Sequence, residues 1–145
     1  FKKNQYNIQD SEKLLPFFKE KVELATLLST INERIEYLID KDHQIGHSYL
    51  FKVRSLNDLI EVFRDKILPL LEEYFYGDYG KIGLVLGGKF IQSKTQNSEN
   101  ILAKNFQYNS DILEEKEFYE FVPHNSWEIE TFTSVYSVNN KDNEQ

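Results

Sequence analysis

Two amphipathic helical patterns, separated by a short polar loop, constrain the fold of this sequence most strongly. Between about residues 20 and 40, apolar residues recur every three or four positions, which predicts a helix with one buried face. The stripe consists of Leu24, Leu27, Leu28, Ile31, Ile35, Leu38 and Ile39. A second helix is predicted after Ser55, whose hydroxyl is a suitable N-cap, with Asp58 as a shortened partner in a capping box.

Proline and glycine divide the next part of the chain. Pro69 lacks an amide hydrogen and clashes with the carbonyl group four residues earlier, so it is predicted to kink or end the second helix. A third helix is expected over about 70–76, with Gly77 as its C-terminal cap. A fourth helix is expected over about 78–86, ended by Gly87–Gly88.

The second half of the chain has a different character. Short strands are predicted at 89–95 and at 118–122, where Pro123 stops the second one. Ser126 is predicted to cap a last helix that runs to about residue 138, and the polar tail 139–145 is expected to fray. The fold class is therefore mainly α, with a small antiparallel β element and a C-terminal helix. The candidate buried residues of the last helix are Trp127, Phe132, Val135 and Tyr136.

Composition excludes several classes of protein. The 145 residues suit one domain, and the absence of cysteine excludes disulfides, thiolate zinc sites and cysteine nucleophiles. A net charge of −7 argues against a general nucleic-acid binder. No apolar run is long enough for a membrane span, so a cytoplasmic location is expected. Methionine is absent even from position 1, from which we expect the chain to be internal to a longer polypeptide.

The loop Asp42–Tyr49 carries more hydrogen-bonding groups than a simple turn between helices needs. We interpret it as a segment that contacts a nucleotide phosphate. Gly46 allows a close approach of the backbone, and the Ser48 hydroxyl and the His47 ring can donate hydrogen bonds to phosphate oxygens. The candidate contact residues are Asp42, His43, Gly46, His47, Ser48 and Tyr49.

Two alternatives remain open for this loop. His43 and His47 have the spacing of two zinc ligands on a helix, and Asp42 could be a third, as in a small metal-dependent hydrolase. Gln44 stands where a metalloprotease has its general-base Glu, which excludes that chemistry. The histidines could also only cap the turn, in which case the chain is a non-enzymatic helical interaction module. Gly83–Lys89 resembles a phosphate-binding loop but lacks the hydroxyl residue after lysine.

Three blocks of sequence resemble one protein family closely. They are INERI at 31–35, DKDHQIGHSY at 40–49 and KILPLLEEYFYGD at 66–78. In this order and spacing they resemble the C-terminal part of the AAA+ NTPase domain of McrB-type proteins, the GTP-hydrolysing motor subunits of modification-dependent restriction systems. The resemblance covers about residues 20–90, with a looser match at 127–136.

The resemblance implies a helical AAA+ lid subdomain that closes over a nucleotide. Residues 1–19 would connect to a nucleotide-binding core, 20–87 would form the lid, and 88–145 would be a C-terminal extension with short strands and a final helix. The phosphate-binding loop, the Mg²⁺-binding Asp-Glu pair and the arginine finger of the family would precede Phe1. The chain alone is then not catalytic, whereas the parent protein would use GTP or ATP with Mg²⁺.

The resemblance also implies partners. These are the AAA+ core of the same chain, further copies in a homo-oligomeric ring and a McrC-type nuclease. The complex would cleave DNA that carries a modification such as 5-methylcytosine. DNA would be contacted only by other domains, and no membrane is involved. Related AAA+ branches place a G-x-S-x-R-like segment where Gly46–Tyr49 stands. No arginine lies in this loop, and Lys52 and Arg54 are the nearest cations downstream, which leaves phosphate sensing to His47 or to no lid residue.

Overall fold

The structure, a computed structural model, describes residues 22–96, 101–107 and 116–143. It confirms a mainly helical class with a small antiparallel β element and a C-terminal helix. The connector expected at 1–19 lies outside these residues. In chain order the α-helices and strands are α1 (Leu24–Leu38), α2 (Leu56–Val62), α3 (Leu68–Tyr74), α4 (Tyr79–Leu86), β1 (Ile91–Gln96), β2 (Lys116–Phe121) and α5 (Ile129–Asn143).

Helix α1 buries the apolar stripe that the sequence predicts. Leu38 and Ile39, at its C-terminal end, are half-buried. A stripe this wide turns one whole face of the helix toward the core. The fully buried members of the stripe are Leu24, Leu27, Leu28, Ile31 and Ile35.

Ser55 caps α2 as predicted. Its Oγ accepts a hydrogen bond from the Asp58 amide at 3.1 Å. The Asp58 carboxylate accepts from the Arg54 amide at 2.9 Å, one residue earlier than in the usual capping box. The start of the helix is therefore fixed by two side chains close to it in sequence.

The helical path continues from α2 into α3 through a π-helical turn. This turn spans Phe63–Ile67, and the Leu68 amide donates to the Phe63 carbonyl. Pro69 lies in the first turn of α3, where a missing amide hydrogen is tolerated. The carbonyl group four residues before Pro69 belongs to Asp65, which lies in the π-helical turn, so the α-helical pattern is interrupted on the N-terminal side of Pro69 and continues through it.

Glycines end α3 and α4 as predicted. The backbone reverses after α3 through Tyr76 and Gly77, both with positive φ (53° and 75°), and the Gly77 amide donates to the Glu72 carbonyl at 2.9 Å. Asp78 then caps α4 by accepting from the Lys81 amide. Helix α4 ends at Gly87, whose φ of 93° favours a residue without a Cβ.

The two strands form an antiparallel hairpin that packs on α4. Ile91 pairs with Phe121, and Gln96 pairs with Lys116. A Cβ added at Gly83 would lie 3.4 Å from the Ile91 Cβ, so the small residue lets the strand approach the helix closely. Both predicted strands exist, with bounds shifted by about two residues.

The prediction that Ser126 caps the last helix is wrong. Its Oγ donates to the Pro123 carbonyl at 2.7 Å inside a 3₁₀ turn, and α5 begins three residues later at Ile129. At this start the Thr131 Oγ accepts from the Glu128 amide at 2.9 Å. The helix runs to Asn143, so part of the tail expected to fray is helical.

One hydrophobic core joins both sides of the boundary predicted between residues 87 and 88. The ring centroids of Phe63 and Phe132 are 5.0 Å apart, and those of Phe63 and Phe90 are 5.6 Å apart. Tyr136 of α5 also accepts, through its hydroxyl, a hydrogen bond from the amide of Glu23. None of the helices in the described ranges combines the length and the apolar composition of a membrane span.

Candidate functional site

The polar loop between α1 and α2 is held against α1 by a buried side chain. Asn32 has no solvent exposure, and its Nδ2 donates to the Ile45 carbonyl at 2.8 Å. Its Oδ1 accepts from the Ile45 amide at 2.6 Å. The Asn32 carboxamide thus pairs with both backbone groups of Ile45, as a neighbouring β-strand would. The sequence interpretation did not assign this role, although a polar residue within an apolar helical stripe is a recognisable signal.

A single carboxylate organises the first turn of the loop. Asp40 Oδ1 accepts from the amides of Asp42 and His43 at 2.9 and 3.1 Å, and it lies 2.7 Å from His43 Nδ1. These contacts lower the pKa of Asp40, chiefly through the hydrogen bond with the His43 side chain. The turn spans Lys41–His43 and is 3₁₀-helical.

Two further contacts bring the same turn against the helices. The His43 ring packs edge-on against Tyr74 of α3, with ring centroids 4.9 Å apart. Gln44 Nε2 donates to Glu36 Oε1 of α1 at 3.3 Å. The loop is therefore fixed by α1 on one side and by α3 on the other.

The structure separates the predicted contact residues by exposure. Asp42, Gly46, Ser48 and Tyr49 are exposed, and His43 is half-buried. Gly46 has an extended backbone, with φ at −78°, and no atom lies within 4 Å of a Cβ built on it. Neither the local conformation nor the surrounding space requires glycine at this position, so close approach of an external group remains the predicted reason for it.

His47 is the predicted contact residue that the fold buries. Only 5 % of its surface is exposed, and it lies in the second 3₁₀ turn, His47–Leu50, together with the buried Leu50. A ring so deeply covered by the chain's own atoms cannot reach a phosphate at the surface of this structure. Direct phosphate sensing by His47 is thus not supported by its position, and its neighbours Ser48 and Tyr49 carry the exposed polar groups.

Arg54, the first arginine after the loop, forms hydrogen bonds with nearby backbone carbonyl groups. Arg54 Nη1 donates to the carbonyls of Phe51 and Val53 at 2.7 and 3.0 Å. This guanidinium therefore closes its own turn, and both Arg54 and Lys52 are exposed.

The histidines of the loop do not assemble with carboxylates into a metal site. Within the described residues no group of three or more His, Asp or Glu side chains is arranged to hold a metal ion. Gln44 and Gly46 have extended backbones, so His43 and His47 do not lie on one helix as the zinc-ligand spacing would require.

A second polar link ties α1 to the end of α4. Arg34 Nη1 donates to the Val85 carbonyl at 2.8 Å, and burial lowers the pKa of the Arg34 guanidinium. A cation at the C-terminal end of a helix also complements the helix dipole. The sequence interpretation did not single out Arg34, because the partner carbonyl is 51 residues away in the chain.

Comparison with protein families agrees with the three blocks of sequence. Residues 23–83 match the family described as McrB, alpha-helical lid domain. This range begins at the residue before α1, includes the loop, and ends within α4. The chain matched no individual curated protein. Residues 23–83 of this chain are therefore similar to the alpha-helical lid domain of McrB, as the three blocks of sequence indicate.

Proposed function

We propose that this chain is the lid part of a McrB-like AAA+ NTPase and closes over GTP or ATP bound by the core of the same protein. The match of residues 23–83 to the McrB lid domain is the observation that carries the proposal. In this role the loop at 42–49 faces the nucleotide, and the helices around it form the rigid support.

The loop has the chemistry for such a contact without being a catalytic centre. Ser48 and Tyr49 are exposed, and their hydroxyl groups can both donate and accept hydrogen bonds, which suits phosphate oxygens and ribose hydroxyls. The side chains of Asn32 and Asp40 fix the conformation of the loop by hydrogen bonds to its backbone. A contact group that is already ordered loses less entropy when it binds.

Catalysis in the proposed protein depends on parts that this sequence does not contain. No G-x-x-x-x-G-K-[ST] motif occurs in the 145 residues, so no phosphate cradle of that kind is present. The chain alone therefore does not hydrolyse nucleotide, whereas the parent protein does so with Mg²⁺. The proposed parent forms a ring and activates a McrC-type nuclease against DNA carrying a modified base such as 5-methylcytosine.

Nucleotide hydrolysis by the parent protein tests this proposal directly. The full-length protein that contains this chain is purified, and hydrolysis of GTP and of ATP is followed by phosphate release, with and without its McrC-type partner. The 145-residue chain is assayed in parallel. We expect turnover from the parent and none from the chain. Absence of turnover of either nucleotide by the complete complex would contradict the proposal.

Variants of the exposed loop residues test its nucleotide-facing role. Ser48→Ala and Tyr49→Phe each remove one hydroxyl, and loss of a hydrogen bond to a charged group lowers kcat/KM by roughly 10- to 100-fold. Matched controls are Ser93→Ala on β1 and Tyr76→Phe after α3, both at exposed positions. We expect these controls to leave turnover unchanged.

A helical interaction module is the second candidate, and one surface favours it. Tyr37 of α1 and Leu84 of α4 are 89 % and 65 % exposed, and they border a cleft of about 390 Å³. Leu38, Glu33 and Arg34 line the rest of this cleft. If the Ser48 and Tyr49 variants leave turnover unchanged while Tyr37→Ala and Leu84→Ala weaken assembly of the parent complex, this second function is favoured.

A further inference from the structure

Asn32 makes two hydrogen bonds to the backbone of one loop residue, Ile45. Its Nδ2 and Oδ1 lie 2.8 and 2.6 Å from the carbonyl oxygen and the amide nitrogen of Ile45, which is 13 residues away. The Asn32 side chain is fully buried, and Ile45 itself is only 2 % exposed. Ile45 is thereby fixed both through its backbone and through its side chain.

We infer that Asn32 is a positioning residue that sets the nucleotide-facing shape of the loop from inside the lid. The inference rests on the proposed function and adds to it the residue that controls the loop. Ile45 directly precedes Gly46, and the exposed Ser48 and Tyr49 follow within four residues. A shift of the Ile45 peptide therefore moves the backbone that presents both hydroxyl groups.

This contact requires one donor and one acceptor on the same planar group, which a carboxamide supplies at neutral pH. One acceptor and one donor, set apart on a planar group, match the amide and the carbonyl of a single residue. A carboxylate has no donor and would place negative charge against the Ile45 carbonyl, whereas an apolar side chain would leave both peptide groups buried without these partners. Neither replacement holds the loop as the asparagine does.

The inference is tested with Asn32→Asp in the full-length parent protein, because the expected defect should be reversed by lowering the pH. At neutral pH the introduced carboxylate cannot donate to the Ile45 carbonyl, and we expect kcat/KM for the nucleotide to fall on the order of 10-fold or more, mainly through KM. Burial raises the pKa of a carboxyl group. When the pH is lowered, the protonated group carries one donor and one acceptor, so both hydrogen bonds return and the defect shrinks relative to wild type.

A matched control separates positioning from general loss of stability. Val135→Ala opens a cavity at a fully buried site in α5 and destabilises the fold without removing a hydrogen-bonding group from Asn32 or Ile45. Kinetics are measured below the unfolding temperature of every variant, with that temperature recorded for each. Val135→Ala should lower the unfolding temperature and leave KM at the wild-type value. If Asn32→Asp does not fold, Asn32→Ser is measured in its place.

The outcomes distinguish this inference from the proposed function. The inference holds if the Asn32 variant raises KM, Val135→Ala does not, and for Asn32→Asp the effect reverses at lower pH. It is overturned if the Asn32 variant changes KM no more than Val135→Ala while Ser48→Ala or Tyr49→Phe raises it. If none of these variants changes KM, or if the parent does not turn over nucleotide, the proposed function fails and the inference fails with it.

Discussion

Nδ1 of His43 lies 2.7 Å from Oδ1 of Asp40, and the same oxygen accepts from two backbone amides. An ionised carboxylate only accepts hydrogen bonds, so Nδ1 of His43 is the donor in this contact. One acidic residue therefore caps the first turn of the loop and orients the histidine ring that packs on Tyr74.

The Asp40 contact predicts a pH dependence of stability. The hydrogen bond with His43 holds the pKa of Asp40 below its ordinary value of 3.8. Since the folded-state pKa is the lower one, Asp40 contributes stability above the unfolded-state pKa, and this contribution is lost as the pH falls through the folded-state pKa. Asp40→Asn cannot show this loss. Urea unfolding should therefore give a difference between wild type and variant that is constant near neutral pH and narrows as the pH falls below about 5, with most of the change below pH 3.8.

The neighbouring Asp42 offers the control for this measurement. Asp42 is exposed, and its amide, not its carboxylate, takes part in the capped turn. For Asp42→Asn, the free energy of unfolding should fall at acidic pH in the same way as it does for wild type. A gap between wild type and Asp40→Asn that stays constant over the whole pH range contradicts the assigned role of Asp40.

We predict that the same substitution, Arg→Gln, affects stability strongly at Arg34 and weakly at Arg64. Arg34 is half-buried and donates to the Val85 carbonyl, so Arg34→Gln should lower the free energy of unfolding by about 1.5–3 kcal/mol. Arg64 forms an exposed ion pair with Asp65, so Arg64→Gln should leave the free energy of unfolding close to that of wild type. Chemical denaturation of both variants measures the difference. Equal changes in the free energy of unfolding would show that the hydrogen bond from Arg34 to α4 does not contribute significantly to stability.

Phe132 tests whether the C-terminal extension and the lid fold as one unit. Its ring is fully buried between Phe63 and Phe90, so Phe132→Ala should destabilise the protein by about 3–5 kcal/mol. Phe106→Ala, at a position that is 78 % exposed, is the control and should have little effect. Loss of helical signal followed by circular dichroism should occur in one transition. Two separate transitions, with only the later one shifted, would favour the boundary predicted between residues 87 and 88.

The helices of the lid could be predicted because their signals are local. The Ser55 cap and the Gly87 terminus each depend on residues within a few positions, and the buried stripe of α1 follows from its period. The start of α5 could not be predicted in this way. Trp127 Nε1 donates to the Val122 carbonyl at 3.0 Å, and this contact accompanies a 3₁₀ turn at the place where Ser126 would otherwise cap a helix.

The polar loop between α1 and α2 was predictable from the sequence, but the contacts that hold it were not. The loop at 42–49 stands out by composition, whereas the bonds from Asn32 to Ile45 join residues that no periodic pattern relates. The burial of His47 was also not predictable, because a histidine in a polar loop gives no local sign of which way its ring will turn. Tertiary packing decides both features.

Gly77 and Gly46 predict contrasting effects of the same Gly→Ala change on stability. Gly77 has φ at 75°, where a Cβ is unfavourable, so Gly77→Ala should destabilise the protein by about 1–2 kcal/mol. Gly46 has φ at −78° with open space around it, so Gly46→Ala should leave stability unchanged or raise it by about 0.4–1 kcal/mol. Thermal and urea unfolding of the two variants measure both values.

Gly46→Ala also separates folding from ligand contact in the parent protein. Because the fold itself has room for the added methyl group, any loss of nucleotide affinity must come from a group that approaches the loop from outside. We expect KM for the nucleotide to rise while the unfolding temperature stays at or above that of wild type. An unchanged KM would mean that no ligand approaches the backbone at Gly46, and the nucleotide contact would then have to be made by the Ser48 and Tyr49 side chains alone.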